Sequence, residues 1–155
     1  MKKKIVTLVS LVLLISAVFI YLSLNTTLFW KTYKTETFQI KYPFNWRVDP
    51  PQVDYIILFG TGEWGNTYHL ILVIADAPPS GESYKENTTI NGMPAYFWVT
   101  KEDSGESISH IYEIKTSTKT YVFQFDVFHK LTGLKENSKE QETAEKIINT
   151  FHLSN

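Results

Sequence analysis

The pattern of hydrophobic and polar positions divides the chain into an apolar N-terminal run and a longer segment of alternating residues. Residues 5–24 read IVTLVSLVLLISAVFIYLSL and contain no charge. From residue 36 onward, apolar and polar residues alternate with a period of two, which is typical of half-buried strands. Phe38, Ile40 and Tyr42 share the first apolar face. The pattern therefore predicts one N-terminal helix followed by a strand-rich domain.

The N-terminal run has the length of a membrane span if it is helical. At about 1.5 Å per residue it would extend roughly 30 Å, the thickness of a bilayer hydrocarbon core. Lys2, Lys3 and Lys4 precede it, and positive charge favours the cytoplasmic side. The sequence predicts a single-pass protein of a bacterial plasma membrane. Its predicted parts are a cytoplasmic tip at 1–4, a transmembrane signal-anchor helix at 5–24, a tether at 25–35 and an extracytoplasmic domain at 36–153.

A cleaved signal peptide, with secretion of the domain, is the alternative interpretation of this run. Signal peptides also place an apolar stretch after positive charge, but that stretch is usually 7–15 residues long. The run here is longer, and it ends at Ser23 and Leu24 without a small-x-small cleavage site. We therefore prefer the anchor.

The alternating segment predicts an antiparallel sheet of about six strands. Residues 68–75 form its most apolar strand, which we expect at the centre with both faces covered. Residues 108–114 and 121–127 form the clearest pair, a hairpin that places aromatic and β-branched side chains across from one another.

A C-terminal helix completes the predicted domain. Ser138 followed by Gln141 fits a capping box, and Ala144, Ile147 and Ile148 repeat at helical spacing. The predicted fold class is therefore α+β: the N-terminal transmembrane helix, then an α/β sandwich around the antiparallel sheet, with the C-terminal helix packed across it.

Composition and charge restrict the function. The chain has no cysteine, which excludes disulfides, thiolate metal sites and a cysteine nucleophile. Without Lys2–Lys4, 12 of the 15 basic residues remain, against 16 acidic ones. A mildly acidic domain without basic clusters is a poor match for a phosphate backbone, so we expect no nucleic-acid partner.

Three motifs together resemble PsbP-like domains. They are T-F-Q-I-K-Y-P-F-N-W at 37–46, T-I-N-G-M-P-A at 89–95 and A-E-K-I-I-N-T-F at 144–151. The superfamily includes an extrinsic photosystem II subunit, a Ran-binding nuclear import factor and small secreted or anchored bacterial proteins. The resemblance implies an α/β sandwich over residues 36 to 153 and an accessory, non-catalytic role. It supplies no catalytic residues.

The candidate chemistry is sparse. His69, His110, His129 and His152 have no metal-ligand spacing, and no nucleophile motif such as GxSxG occurs. We therefore predict no catalytic residues, no metal and no cofactor.

Two pairs of residues are candidates for binding. Trp64, beside Glu63 in a glycine-flanked loop, is either a lid on the core or an exposed anchor for a protein partner in the cell envelope. His110 and Tyr112 share a strand face that could line a pocket. The sequence thus favours a non-catalytic binding or assembly module, with an envelope enzyme or small-molecule carrier using the His110–Tyr112 pocket as the alternative.

Overall fold

The computed structural model describes residues 2–49, 52, 54–61, 67–76, 86–129, 135–136 and 138–154. Within them the chain forms two helices and ten strands. The elements are α1 Lys2–Asn25, β1 Lys31–Lys34, β2 Phe38–Tyr42, β3 Arg47–Val48, β4 Tyr55–Thr61, β5 Thr67–Asp76, β6 Thr88–Ile90, β7 Met93–Lys101, β8 Ser107–Lys115, β9 Lys119–His129, α2 Lys139–Ile148 and β10 His152–Leu153.

The strands form two antiparallel sheets. One has three strands in the order β1-β2-β10, and the other has seven in the order β3-β4-β5-β9-β8-β7-β6. The fold is therefore mostly β, and the predicted α+β class with a sheet of about six strands is wrong. The physical reason lies in β1, β6 and β10, which have only two to four residues each. Strands this short carry no readable alternation and form because a longer neighbour pairs with them.

Helix α1 lies outside the hydrophobic core and exposes large apolar side chains, among them Leu8, Leu13 and Tyr21. Among the side chains that the structure describes, no helix combines the length and apolarity that crossing a membrane requires. This finding overturns the predicted signal-anchor helix at 5–24 and the single-pass plasma-membrane location that depended on it.

The core lies between one face of the seven-stranded sheet and a layer made of α2 and the three-stranded sheet. Ser138 caps α2 by accepting the Gln141 N–H, and Ala144, Ile147 and Ile148 are buried, so the predicted helix and its apolar stripe are confirmed. Strands β8 and β9 also pair as predicted. The inner sheet residues of this core are Ile56, Leu58, Leu70, Leu72, Ile114, Tyr121, Phe123, Phe125 and Val127.

The seven-stranded sheet is covered less evenly than its sequence suggested. On β5, Leu70 and Leu72 are fully buried, whereas Val73 on the opposite face is 37% exposed and Ala75 is also exposed. The prediction that residues 68–75 are covered on both faces is therefore wrong. Helix α2 and the small sheet both lie on the inner side.

Candidate functional site

The inner face of the sheet continues from the core toward strand β7, where it becomes partly exposed. In the β7–β8 register, Phe97 lies across from Tyr112 and Val99 across from His110. In the β8–β9 register, His110 lies across from Phe125. These side chains therefore share one face of three neighbouring strands, because side chains alternate along a strand.

Aromatic rings pack closely on this face. The ring of Phe97 lies 4.7 Å from that of Tyr112 and meets the His110 ring edge to face at 5.1 Å. The His110 ring in turn lies 5.6 Å from Phe125. Such distances are typical of favourable aromatic pairs, and they hold the imidazole in one orientation on the sheet.

Helix α2 adds a carboxylate to these rings. Glu145 Oε1 lies 4.0 Å from His110 Nδ1, too far for a hydrogen bond, and the side chains of His110 and Glu145 remain 18% and 37% exposed. Gln141, one turn earlier, donates to Glu145 Oε1 at 3.0 Å and fixes the carboxylate. We call Phe97, His110, Tyr112, Phe125 and Glu145 together the His110 shelf.

The His110 imidazole has an unsatisfied polar atom. Its Nδ1 is buried and has no hydrogen-bond partner among the described residues. Burial lowers the pKa of His110 below its ordinary value of 6.5, and the carboxylates of Glu145 and Glu136 partly oppose that effect. The ring is therefore held mainly in its neutral form at neutral pH.

The phenol of Tyr112 is held in its protonated form. Burial raises the pKa of Tyr112 to about 12, and the negative charge of Glu145 adds to the rise. A phenol with such a pKa can donate a hydrogen bond at neutral pH but cannot act as a base. Among the described groups, the two charges that act on His110, those of Glu145 and Glu136, are both negative.

The side chain of Asn87 extends the sheet at the edge of β7. Its Nδ2 donates to the Phe97 carbonyl at 2.8 Å, and its Oδ1 accepts the Phe97 N–H at 2.8 Å. The amide side chain thus occupies the place of a backbone peptide group in a neighbouring strand. It also fixes Phe97, the outermost ring of the shelf.

A separate groove lies toward the opposite end of β7. It has a volume of about 240 Å³ and is lined in part by Met93, Tyr96, Glu113, Ile114 and Leu153. Neither His110 nor Tyr112 lines it. The predicted pair therefore lies on an open aromatic surface, and the described groove is elsewhere.

The remaining sequence candidates are dispersed. Trp64 and Glu63 lie outside the described residues. His69 packs its ring 4.7 Å from Phe59 on the outer face, and His152 lies 2.7 Å from Asn91 Nδ2 through its Nδ1. Among the described residues no group of three or more His, Cys, Asp or Glu is placed to hold a metal ion.

Sequence reasoning identified His110 and Tyr112 as candidates and placed Phe125 in the paired hairpin strand, but it missed Phe97 and Glu145. Phe97 follows the same period-two pattern as His110, so its face could have been assigned once the β7–β8 register was known. Glu145 flanks the apolar stripe of α2 and reads as a solvent-facing residue. Only the docking of α2 on the sheet brings it to His110.

Comparison with known proteins bears on the fold alone. No family model and no curated protein sequence matches this chain. A protein from Bacteroides thetaiotaomicron VPI-5482, known from a crystal structure, is similar with a TM-score of 0.54 and 14% sequence identity. The match covers 79% of this chain and 48% of that protein, so the chain spans about half of its length. The resemblance to PsbP-like domains stays a prediction.

Proposed function

We propose that the protein is a non-catalytic binding module that holds a cationic group of its ligand on the His110 shelf. The observation that carries this proposal is the meeting of an aromatic surface with a fixed carboxylate beside a neutral imidazole. Ammonium and guanidinium groups are attracted to aromatic faces, and a nearby carboxylate adds charge pairing. Such a ligand would face negative charge from both Glu145 and Glu136.

The same geometry argues for binding rather than catalysis. The pKa of Tyr112 is about 12, so its phenolate is scarce at neutral pH. Among the described residues, the rings in contact with His110 are those of Phe97 and Phe125, which offer neither a nucleophile nor a proton to transfer. An accessory role of this kind also agrees with what the PsbP-like resemblance implies.

The alternative is a small-molecule carrier that uses the same shelf. The partial exposure of His110 and Glu145 favours it, because these groups can be reached without unfolding. The binding-module and carrier hypotheses share the His110 shelf and its preference for positive charge. They differ only in the size of the ligand.

The test is a titration of the full-length chain with N-acetyl-arginine amide, followed by NMR of the aromatic side chains. We expect the Phe97, His110 and Tyr112 ring resonances to shift together. Glu145→Gln keeps the acceptor for Gln141 and removes the charge, so binding should weaken about tenfold, or roughly 1.4 kcal/mol.

Glu142→Gln is the matched control, since Glu142 lies on the exposed side of the same helix. It should bind as the unmodified protein does. Equal affinity in both variants and the parent, or shifts confined to residues away from the shelf, would contradict the proposal.

A further inference from the structure

Beyond Asn87, the outer edge of β7 has no neighbouring strand among the described residues. Strand β6 pairs with β7 only as far as Thr88, which lies across from Ala95. The Asn87 N–H then donates to the Ala95 carbonyl at 3.2 Å, and the Asn87 side chain bonds both backbone groups of Phe97. Hydrogen bonding along this edge of β7 therefore continues through the Asn87 side chain beyond the end of β6.

Alternation along β7 fixes which backbone groups come next. In an antiparallel sheet, a residue's N–H and C=O point to the same neighbour, and successive residues alternate between the two sides. Because those of Phe97 point away from β8, those of Val99 and Lys101 do so as well. Among the described residues, no strand lies across from either residue on that side.

The open edge is continuous with the His110 shelf. Val99 lies across from His110 on the inner face and is 50% exposed. Strands are spaced about 4.8 Å apart, so an added strand would lie about 10 Å from β8. A long basic side chain on that strand could cross the face of Val99 toward Glu145.

We infer that the β7 edge binds an extended basic peptide as an additional strand, with an Arg or Lys side chain on the His110 shelf. This inference rests on the proposed function, and it names the ligand as a peptide. Main-chain hydrogen bonds to Val99 and Lys101 would give affinity, and the shelf would select the side chain, as in other cases where a peptide adds to a sheet edge. The hairpin tip beside this edge adds Glu102 and Asp103, both exposed, which favours a basic partner.

The probe is a short synthetic peptide of alternating threonine and arginine, added to the full-length chain. We expect amide exchange at Val99 and Lys101 to slow by about tenfold or more when the peptide is bound. Its matched control carries N-methyl groups on alternate backbone amides, which block ladder hydrogen bonds and leave the side chains unchanged. The control peptide should bind about tenfold more weakly.

The variant Val99→Pro tests the same edge by changing the protein instead of the peptide. It removes an outward N–H that bonds no strand in the described part of the chain, a place where a sheet tolerates proline. We expect it to lose peptide binding about tenfold relative to Val99→Thr. Binding of N-acetyl-arginine amide to the shelf should be unchanged. If Val99→Pro fails to fold, the comparison of the two peptides on the parent chain still decides.

The outcomes separate the two proposals. Equal binding of the plain and N-methylated peptides overturns the edge inference, even when the arginine amide still binds the shelf. If the arginine amide does not bind while the plain peptide protects Val99 and Lys101, the edge holds and the cation-binding function fails. Absence of binding by either probe overturns both.

Discussion

His110 places a titratable ring on a mostly apolar sheet face, and its protonation is therefore coupled to stability. Burial disfavours the charged imidazole, and the carboxylates of Glu145 and Glu136 only partly compensate. The rings of Phe97 and Phe125 pack against it. In the unfolded chain the same ring titrates near 6.5.

This coupling predicts a loss of stability in mild acid. Because the folded pKa of His110 lies below the unfolded value, the unfolded state binds more protons as the pH falls through 6.5. The contribution of His110 is thus fully present above that pH and declines below it. We expect the free energy of unfolding, measured in urea, to fall between pH 7 and pH 5 and to fall less in His110→Phe. An identical pH profile for the two proteins would contradict this reading of the ring.

Gly60 is a second residue whose role depends on one contact. A Cβ added at Gly60 would lie only 2.2 Å from Cε2 of Trp46, which is itself a buried residue. The bare backbone of β4 therefore makes room for the indole. This role cannot be recognised from the sequence, because a glycine that makes room for a neighbouring ring looks the same there as one that turns the chain.

We predict that Gly60→Ala destabilises the protein by about 1–3 kcal/mol, the usual cost of overpacking a core. Thermal and urea unfolding would measure it. In a Trp46→Leu background the same change should cost clearly less, since the ring is gone. An equal penalty in both backgrounds would show that the Trp46 contact is not the cause.

At the scale of elements, the Thr150 side chain bonds the backbone of β2, just as the Asn87 side chain bonds the backbone of β7. Its Oγ1 accepts the Lys41 N–H at 2.8 Å and donates to the Ile147 carbonyl at 2.7 Å. One hydroxyl thus joins the end of α2 to the three-stranded sheet. Such a bond is invisible in the sequence, where 109 residues separate the partners.

We predict that Thr150→Val, which preserves the shape, destabilises the fold by about 1–3 kcal/mol, because the Lys41 N–H loses its acceptor. Thr143→Val is the matched control, since the Thr143 hydroxyl donates to the carbonyl of Lys139 within α2. That control should change stability by less than about 0.5 kcal/mol. Equal effects in urea unfolding would mean that Thr150 does not join the two layers.

The elements that could be predicted from sequence are those whose signal is local. Helix α2 has its own cap and stripe, and the β8–β9 hairpin has two long alternating runs. By contrast, β1 falls in a segment predicted to be a tether, and β10 in two residues after the helix. They are strands only because β2 pairs with both, and a partner in space leaves no periodicity in so short a segment.

On the scale of the whole molecule, the core and α1 are separate. Every member of the buried core lies between Phe38 and Phe151, and the partly buried side chains packed against it begin at Trp30. The order of the strands in the two sheets follows from which long strands pair, which the sequence does not encode locally. For this reason the fold class was predicted wrongly although several elements were right.

This separation predicts that residues 27–155 fold without α1. We expect the melting temperature of that fragment to stay within a few degrees of the full chain, while apparent self-association decreases because the exposed apolar side chains of α1 are gone. Phe151→Ala in the same fragment should cost about 3–5 kcal/mol, since the Phe151 ring contacts Phe38 and Phe123. Unfolding of the fragment on removal of α1 would contradict the division.

The most direct test of the central claim compares two soluble ligands that differ in one charged group. N-acetyl-arginine amide and N-acetyl-citrulline amide have nearly the same shape, but only the first carries a positive charge. We predict that the arginine compound shifts the ring resonances of His110 and Tyr112 in NMR spectra of the full-length chain. The citrulline compound should bind at least about tenfold more weakly. Equal affinity for the two, or no shift at the His110 shelf with either, would contradict the account of this protein as a binder of cationic groups.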